Sequence, residues 1–262
     1  MMVATETAVI VERTTPMSGA VELVVEHPAA ALVEPGQFFQ IAVGAQHALL
    51  RRPYSAAWAD AASGRIGFIF DVVGAGSGWL ANRHQGHELD LLGPLGRGFD
   101  LDGDGPAICI AGGLGVAVFP GVVRALLARR RPVTVLLGAR TIGQLLPAAR
   151  FPGADVRLAT DDGTAGRRGS VVDLLDDVDD ADLLVCGPAP MLQALVRRAE
   201  QLERRRSAIQ VALETPMGCG VGTCLGCAAP RRDGGYFLTC QDGPCVRANT
   251  IDWERMTDSF HE

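Results

Sequence analysis

No lysine occurs anywhere in the 262 residues, so all 24 basic side chains are arginines. That excludes a lysine nucleophile, a Schiff-base lysine and a lysine phosphate anchor. Phosphate recognition falls instead to arginine, backbone N–H groups and helix N-termini. Aromatics are scarce, at 5% of the chain, so the core must come from aliphatic residues and alanine. Positive charge is outweighed, and the formal net charge of −6 argues against a nucleic-acid partner. No apolar run reaches the ~18–20 residues of a membrane span. The opening Met1-Met-Val-Ala-Thr-Glu6 lacks the basic-then-apolar order of a secretory signal. The expectation is a soluble cytoplasmic protein without a membrane partner, in which thiols stay reduced. The length accommodates two medium domains or one large one.

Cysteine and glycine are plentiful, and near the end they occur together. The stretch Met217-Gly-Cys219-Gly-Val-Gly-Thr-Cys224-Leu-Gly-Cys227 is followed by Tyr236-Phe-Leu-Thr-Cys240. Four residues separate Cys219 from Cys224, two separate Cys224 from Cys227, and twelve separate Cys227 from Cys240. C-x4-C-x2-C with a distant fourth cysteine is the plant-type spacing for a 2Fe–2S cluster. Two irons need four thiolates converging from several directions. Gly218, Gly220, Gly222 and Gly226 suit a loop that wraps such a group closely, because glycine reaches positive φ and has no Cβ to collide with sulfide. Structural zinc and disulfides are the competing readings. Zinc sites usually arrive as two C-x2–4-C hairpins, whereas only three of these cysteines are tightly grouped. Disulfides suit short secreted chains.

The first hundred residues read as short strands: Ala8–Glu12, Val21–Glu26, Phe38–Val43, Ile66–Phe70 and Glu88–Leu92, parted by turn signals such as Glu34-Pro-Gly36. Such spacing predicts a small antiparallel barrel, with a short helix over Gly76–Asn82. Near residue 103 the pattern changes. Apolar strands at Pro106–Ala111, Val133–Leu137, Asp155–Ala159 and Asp182–Cys186 alternate with helical patterns at Phe119–Arg130, Ile142–Leu146, Val171–Leu175 and Ala189–Arg204. That alternation predicts a parallel sheet with helices on both faces. Ile209–Leu213 is a last strand leading into the cysteine loop. The expected division is a barrel over 1–102, an α/β unit over 103–210 and a cysteine module over 211–262.

Within the barrel, Arg52-Pro53-Tyr54-Ser55 forms an R-x-Y-S pattern. An arginine fork suits a pair of phosphate oxygens, a tyrosine ring lies well against a flavin face, and a serine hydroxyl suits a flavin ring nitrogen. A strand end with a surface arginine and a core tyrosine explains the same four residues. Gly74, Gly76 and Ser77 open the short helix as an anion site or simply as a glycine turn with a cap. Gly93–Gly98 reads as a structural loop at the barrel exit. Gly112, Gly113 and Gly115 follow an apolar strand and open a helix, the context of a nucleotide phosphate at the carboxyl edge of a parallel sheet. They do not spell G-x-G-x-x-G. Cys186, Gly187 and Pro188 occupy the equivalent place after a later strand, where Cys186 is either near the ligand or a small buried hydrophobe.

The order R-P-Y-S, G-A-G-S, G-P-L-G, G-G-L-G, C-G-P-A-P-M resembles the ferredoxin-reductase-like flavoproteins. The tail E-T-P-M-G-C-G-V-G-T-C-L-G-C with T-C-Q-D-G-P is similar to the electron-transfer subunits of NAD-linked (class B) dihydroorotate dehydrogenases. That resemblance implies FAD in the barrel, NAD at the α/β unit and a 2Fe–2S cluster in the C-terminal module. By position it implies flavin contacts at Arg52, Pro53, Tyr54, Ser55, Gly74, Gly76 and Ser77, where serine replaces the usual threonine. It implies cluster ligation by Cys219, Cys224, Cys227 and Cys240. Cys245 departs from the family's D-G-P-V and reads as a buried thiol. Glu214, ahead of the loop, reads as a solvated strand-end carboxylate, and Arg204-Arg-Arg206 as a solvated helix end.

The implied partner is a catalytic subunit that oxidises dihydroorotate on its own FMN, in a two-plus-two heterotetramer serving pyrimidine biosynthesis. No catalytic residue for that oxidation is expected on this chain. A related NAD(P)H:ferredoxin or sulfide-linked oxidoreductase subunit is the nearest alternative. A zinc-stabilised interaction module and a stand-alone flavin reductase are the others.

Overall fold

The computed structural model describes residues 5–44, 49–178, 181–202 and 209–256. The N-terminal part is one antiparallel sheet of β1 (Thr5–Thr14), β2 (Ala20–Glu26), β3 (Phe38–Ile41), β4 (Arg52–Ser55), β5 (Trp58–Asp60), β6 (Arg65–Asp71) and β7 (Glu88–Leu95), with the seven-residue helix α1 (Ala75–Ala81) between the last two. The strands lie in the order β4-β3-β7-β1-β2-β6-β5. The sheet curls so that Tyr54 of β4 meets Phe70 of β6, ring centroids 5.1 Å apart. Alternation sends Ala8 and Ile10 of β1, Leu23 and Val25 of β2, and Phe39 and Ile41 of β3 into one enclosed core. This matches the barrel expected from the strand spacing.

The second sheet is built from β8 (Ala107–Gly112), β9 (Val133–Ala139), β10 (Asp155–Thr160), β11 (Arg167–Arg168), β12 (Asp182–Cys186) and β13 (Ile209–Ala212), with helices α2 (Phe119–Ala128) and α3 (Ala189–Gln201). The order is β11-β10-β9-β8-β12-β13-β16, where β16 is Cys245–Arg247. Every pairing is parallel except the last. Helix α2 buries Phe119, Val122, Val123 and Leu126, and α3 buries Leu192, Leu195, Val196 and Ala199. Both sets follow the i, i+3, i+4, i+7 spacing of one helical face. They pack on opposite faces of the sheet, because their buried residues belong to two separate clusters. Pro188 and Pro190 sit at the start of α3, where a missing N–H costs nothing.

Some expected elements change. The segments at 142–146 and 171–175 form 3-10 turns over Ile142–Gln144 and Val171–Asp177 rather than α-helices. Helix α3 ends at Gln201, and the Arg204–Arg206 run lies outside the described residues. The strand expected to reach Val43 ends at Ile41. Besides the two-residue β11, four strands of three residues were not foreseen: β5, β16 and the hairpin of β14 (Ala228–Pro230) with β15 (Tyr236–Leu238). Each is three residues long, so its pairing is set by tertiary neighbours rather than by its own pattern.

The parts share surfaces rather than tethers. Barrel residues Ala20, Ala57, Ile69 and Phe99 belong to the same core cluster as α2, and Gly121 N–H of α2 donates to Ala57 O at 2.7 Å. Two arginines lock the junction. Arg131 is buried and donates to Gly105 O, Leu101 O and Asp182 Oδ2 at 2.8, 3.1 and 2.6 Å. Arg150 donates to both carboxylate oxygens of Glu22 on β2, at 2.8 and 2.6 Å. The glycine-rich barrel exit also serves as a joint, as its sequence suggests. Gly96 lies at φ +71°, and a Cβ there would sit 2.4 Å from Gly243 O. Arg97 N–H donates to that same carbonyl.

Candidate functional site

Arg52 and Tyr54 alternate onto one face of β4, and Pro53 and Ser55 onto the other. The strand is half-buried along its length. Burial pushes the Tyr54 phenol up to about 12, with Arg52 pulling weakly the other way, so the ring stays neutral. The Arg52 guanidinium reaches the start of α1. A Cβ on Gly76 would lie 3.5 Å from Arg52 Nε and 3.2 Å from Val43 Cγ2. The structure therefore brings Arg52 and Gly76, distant in the chain, into one corner beside Tyr54. Ser77 plays a different part from the one its hydroxyl suggests. Its Oγ accepts from Val73 N–H and Gly74 N–H at 2.9 and 3.1 Å and is within 3.2 Å of Gly74 O. It shapes the turn instead of pointing outward.

In the second sheet the chain leaves β8 for β9 on one side and later returns to β12 on the other. The carboxyl ends of β8 and β12 thus form a topological switch point, where open α/β sheets bind ligands. Gly112, Gly113 and Gly115 end β8; Cys186, Gly187 and Pro188 end β12. The two glycine-rich ends touch. A Cβ on Gly115 would lie 2.4 Å from Cys186 O, and one on Gly112 would lie 2.3 Å from Met191 Sδ. A Cβ on Gly113, at φ +53°, would meet nothing within 4 Å. Two shallow depressions lie at these strand ends, one lined by Gly187, Pro188, Leu213 and Glu214, the other by Ala111, Gly113, Leu137 and Gln144. The Cys186 thiol is buried, which pushes its pKa well above the ordinary range, with Glu214 and Cys245 adding to the shift. Gly115→Ala is expected to part β8 from β12, since its Cβ would meet the Cys186 carbonyl at 2.4 Å. A lowered melting temperature of the purified variant by differential scanning fluorimetry checks this.

The four-cysteine loop folds onto the outer surface of the barrel. Cys227 and Cys240 are buried against Phe38 of β3 and Leu95 of β7, with Leu92, Met217 and Leu238 around them. Thr239 N–H and Oγ1 both donate to Cys227 O, at 3.2 and 3.1 Å, which ties the third cysteine to the fourth. Gly220 and Gly222 take φ +75° and +81°, and Leu225 takes +59°. These left-handed residues turn the backbone around Cys219 and Cys224, whose sulfurs accept N–H from Val221, Thr223 and Gly226 at 3.4–3.5 Å. Burial alone would raise the Cys219 thiol. The Thr223 hydroxyl and the N–H groups of Val221, Cys224 and Thr223 outweigh it and lower the pKa to about 5. Cys240 is pushed up to about 12, first by burial and then by Cys227.

All seven cysteines are free thiols. Among the described residues, no three His, Cys, Asp or Glu side chains converge on a single-ion site. Cys245 lies away from the loop, on β16 opposite Ala212, with its sulfur 3.7 Å from Gly36 O. Iodoacetamide applied to the metal-free chain at pH 7 is expected to label Cys219 first. Burial raises the thiols of Cys109, Cys186 and Cys245, so these three should react only on unfolding, as peptide mass spectrometry would read.

These features agree with what the chain resembles. The family model for the iron–sulfur cluster binding domain of dihydroorotate dehydrogenase B matches residues 214–252. The electron transfer subunit of dihydroorotate dehydrogenase B (NAD(+)) from Geobacillus thermodenitrificans is 36% identical over 255 residues, covering 92% of this chain and 94% of that one. The same subunit from Geobacillus kaustophilus is 35% identical over 251 residues, with the same coverage. The chain belongs to this family. A solved structure of an NADH-dependent reduced ferredoxin-NADP oxidoreductase, studied for flavin-based electron bifurcation, superposes with a TM-score of 0.84 at 25% identity, covering 95% of this chain and 91% of its own. Membership in the dihydroorotate dehydrogenase B family places the three motif regions within one homologous whole rather than in unrelated pieces.

Two features of the site escape the motif reading. Gln40 is fully buried on β3 beside the cysteine loop; the signal was a lone amide in the apolar run Phe38-Phe-Gln-Ile-Ala-Val43. Apolar side chains are also exposed here: Val221 and Leu225 belong to the loop itself, and exposed Leu50 lies against it, 4.0 Å from where a Cβ on Gly218 would sit.

Proposed function

We propose that this chain is the electron-transfer subunit of an NAD-linked dihydroorotate dehydrogenase, acting in pyrimidine biosynthesis. It would take electrons from a catalytic partner and deliver them to NAD+. The observation that carries this reading is the seating of the four-cysteine loop on β3 and β7, next to the strand that bears Arg52 and Tyr54. When bound, the cluster passes single electrons, NAD+ accepts a pair, and FAD deals in both.

The chain's own residues divide the remaining work. Cys219, Cys224, Cys227 and Cys240 hold the irons, and four thiolates without histidine favour a lower potential than a Rieske centre. Arg52, with Gly74 and Gly76, receives the flavin phosphates. Tyr54 offers a neutral ring to the flavin, flanked by Pro53 and Ser55. Ser77 holds the turn that positions Gly74 and Gly76. Gly112, Gly113 and Gly115, with Gly187 and Pro188, let the nucleotide approach the backbone at the switch point. Cys186 stays protonated beside it. The reading carries with it three units over 1–102, 103–210 and 211–262.

The oxidation of dihydroorotate falls to the partner. A catalytic FMN subunit in a two-plus-two assembly is the proposed partner, docking on the exposed apolar residues Leu50, Val221 and Leu225 at the cysteine loop. Exposed apolar surface of this kind marks an interaction site. A cytoplasmic location fits seven free thiols, and among the described residues no helix is long and apolar enough to cross a membrane.

The test is anaerobic co-purification with a dihydroorotate-oxidising subunit, followed by absorbance at the NADH maximum. Dihydroorotate-dependent NADH formation that needs both chains is expected; none with either chain alone. The overlap with the ferredoxin-NADP oxidoreductase structure favours a second reading, an NAD(P)H:ferredoxin oxidoreductase subunit. Reduction of ferredoxin at full rate, with no stimulation by the dihydroorotate-oxidising subunit, would favour that one.

A further inference from the structure

Gln40 has no exposed surface, and among the described residues neither its Nε2 nor its Oε1 has a hydrogen-bond partner. Leaving both ends of a primary amide buried and unsatisfied is costly, so such a group signals a missing acceptor or donor. Its position says where to look. On β3, Phe39 and Ile41 enter the barrel core, so alternation sends Gln40 out on the same side as Phe38. Phe38 packs on Cys227 and Cys240. Across the sheet, Gln40 lies opposite Pro53 of β4 and Leu92 of β7, neither of which offers a side-chain polar atom. The cysteine loop closes over it. A Cβ on Gly220, the residue after Cys219, would lie 2.7 Å from Gln40 Cγ and 3.1 Å from Gln40 Nε2. The glycine at φ +75° thus leaves room for the amide to approach the loop from the barrel side.

We propose that the Gln40 side-chain amide is a hydrogen-bond donor from the barrel to a sulfur of the bound cluster or of its cysteines, and that it sets the cluster's potential. The proposal rests on the cluster reading above. Hydrogen bonds to cluster sulfurs raise the potential, because the reduced cluster carries the extra negative charge that N–H dipoles stabilise. Gln40 is a positioning and tuning residue: it holds no iron. Because β3 is paired to β4, which bears Arg52 and Tyr54, the amide also joins the cluster loop rigidly to the flavin side of the barrel.

The experiment is an EPR-monitored redox titration of the purified holoprotein, wild type against Gln40→Met and Gln40→Leu. Both substitutions remove the N–H at similar volume. Iron and acid-labile sulfide are assayed in the same samples. The expected result is a full complement of iron in the variants, an unchanged flavin potential, and a cluster reduced about tenfold less at a fixed potential. That corresponds to a shift of about −59 mV for a one-electron couple. A wild-type cluster potential in iron-replete variants overturns the proposal. So does a shift confined to the flavin. Loss of iron from both variants with FAD retained also overturns it, since the amide would then serve assembly. A wild-type protein with no iron and no reduced-state EPR signal sinks the cluster reading itself, whatever Gln40 does.

Discussion

Cys224→Ser is expected to cost the chain its iron and its dihydroorotate-dependent NADH formation, while FAD stays bound. Cys224 is the middle residue of the tight triplet, and its sulfur accepts Gly226 N–H at 3.5 Å across a turn forced by Leu225 at φ +59°. A serine oxygen is a harder and less polarisable ligand than thiolate, poorly matched to iron–sulfur chemistry. Loss of an outer-shell partner alone lowers metal affinity roughly 10–100-fold, and loss of a direct ligand should exceed that. The proposed flavin corner of Arg52, Tyr54 and Gly76 does not include the cysteine loop, so flavin absorbance should survive. NADH oxidation with a soluble two-electron acceptor should survive with it. An iron assay and two activity measurements on one preparation separate these outcomes.

The second large effect concerns the joint between the barrel and the nucleotide-side sheet. Glu22 is 3% exposed, and it receives both Arg150 hydrogen bonds, one from Trp58 Nε1 at 2.9 Å and one from Thr14 Oγ1 at 3.3 Å. Glu22→Ala would strand a guanidinium and an indole N–H at once. Breaking a fully buried pair from one side costs roughly 3–5 kcal/mol; the Arg150 side chain is 32% exposed and water partly replaces its partner, so a loss of roughly 1–3 kcal/mol is expected. Each kcal/mol moves the midpoint of a chain this size roughly 2–4 °C, so a fall of roughly 2–12 °C in the apparent melting temperature is expected by differential scanning fluorimetry. Burial by itself would raise the Glu22 pKa, but the hydrogen bonds from Arg150 and Trp58 outweigh it and the net shift is downward. A depressed carboxylate stabilises the fold above its unfolded pKa and loses that contribution as pH falls through its folded one. The penalty of Glu22→Ala should therefore be full at pH 7 and shrink in the acid range below the ordinary glutamate pKa.

The features legible in the sequence were those carried by neighbours in the chain. C-x4-C-x2-C is a local pattern, and two of the four glycines in its loop, Gly220 and Gly222, adopt the left-handed backbone that a wrapping loop requires. The long apolar strands β8, β9 and β12 and the amphipathic faces of α2 and α3 announce themselves by periodicity. What was hidden depends on residues far apart. The strand at Cys245–Arg247 joins the parallel sheet by pairing with Ala212, which no three-residue pattern announces. Glu22 and Arg150 lie 128 residues apart. Arg131 is only the last of three consecutive arginines until its acceptors on Leu101, Gly105 and Asp182 are in view. Gly74, Gly76 and Ser77 read equally as an anion site or as a glycine turn with a cap, and the Ser77 hydroxyl bonds within its own turn. Gln40 is only a polar residue in an apolar strand until the loop is folded over it.

The central claim is that two irons and their sulfides sit in this loop beside a flavin. The measurement that bears on it most directly is iron, acid-labile sulfide, zinc and FAD quantified together in the anaerobically purified chain. The account predicts two irons, two sulfides and one FAD per chain, with an EPR signal that appears on reduction. A colourless preparation, or one that returns zinc without iron, would contradict it.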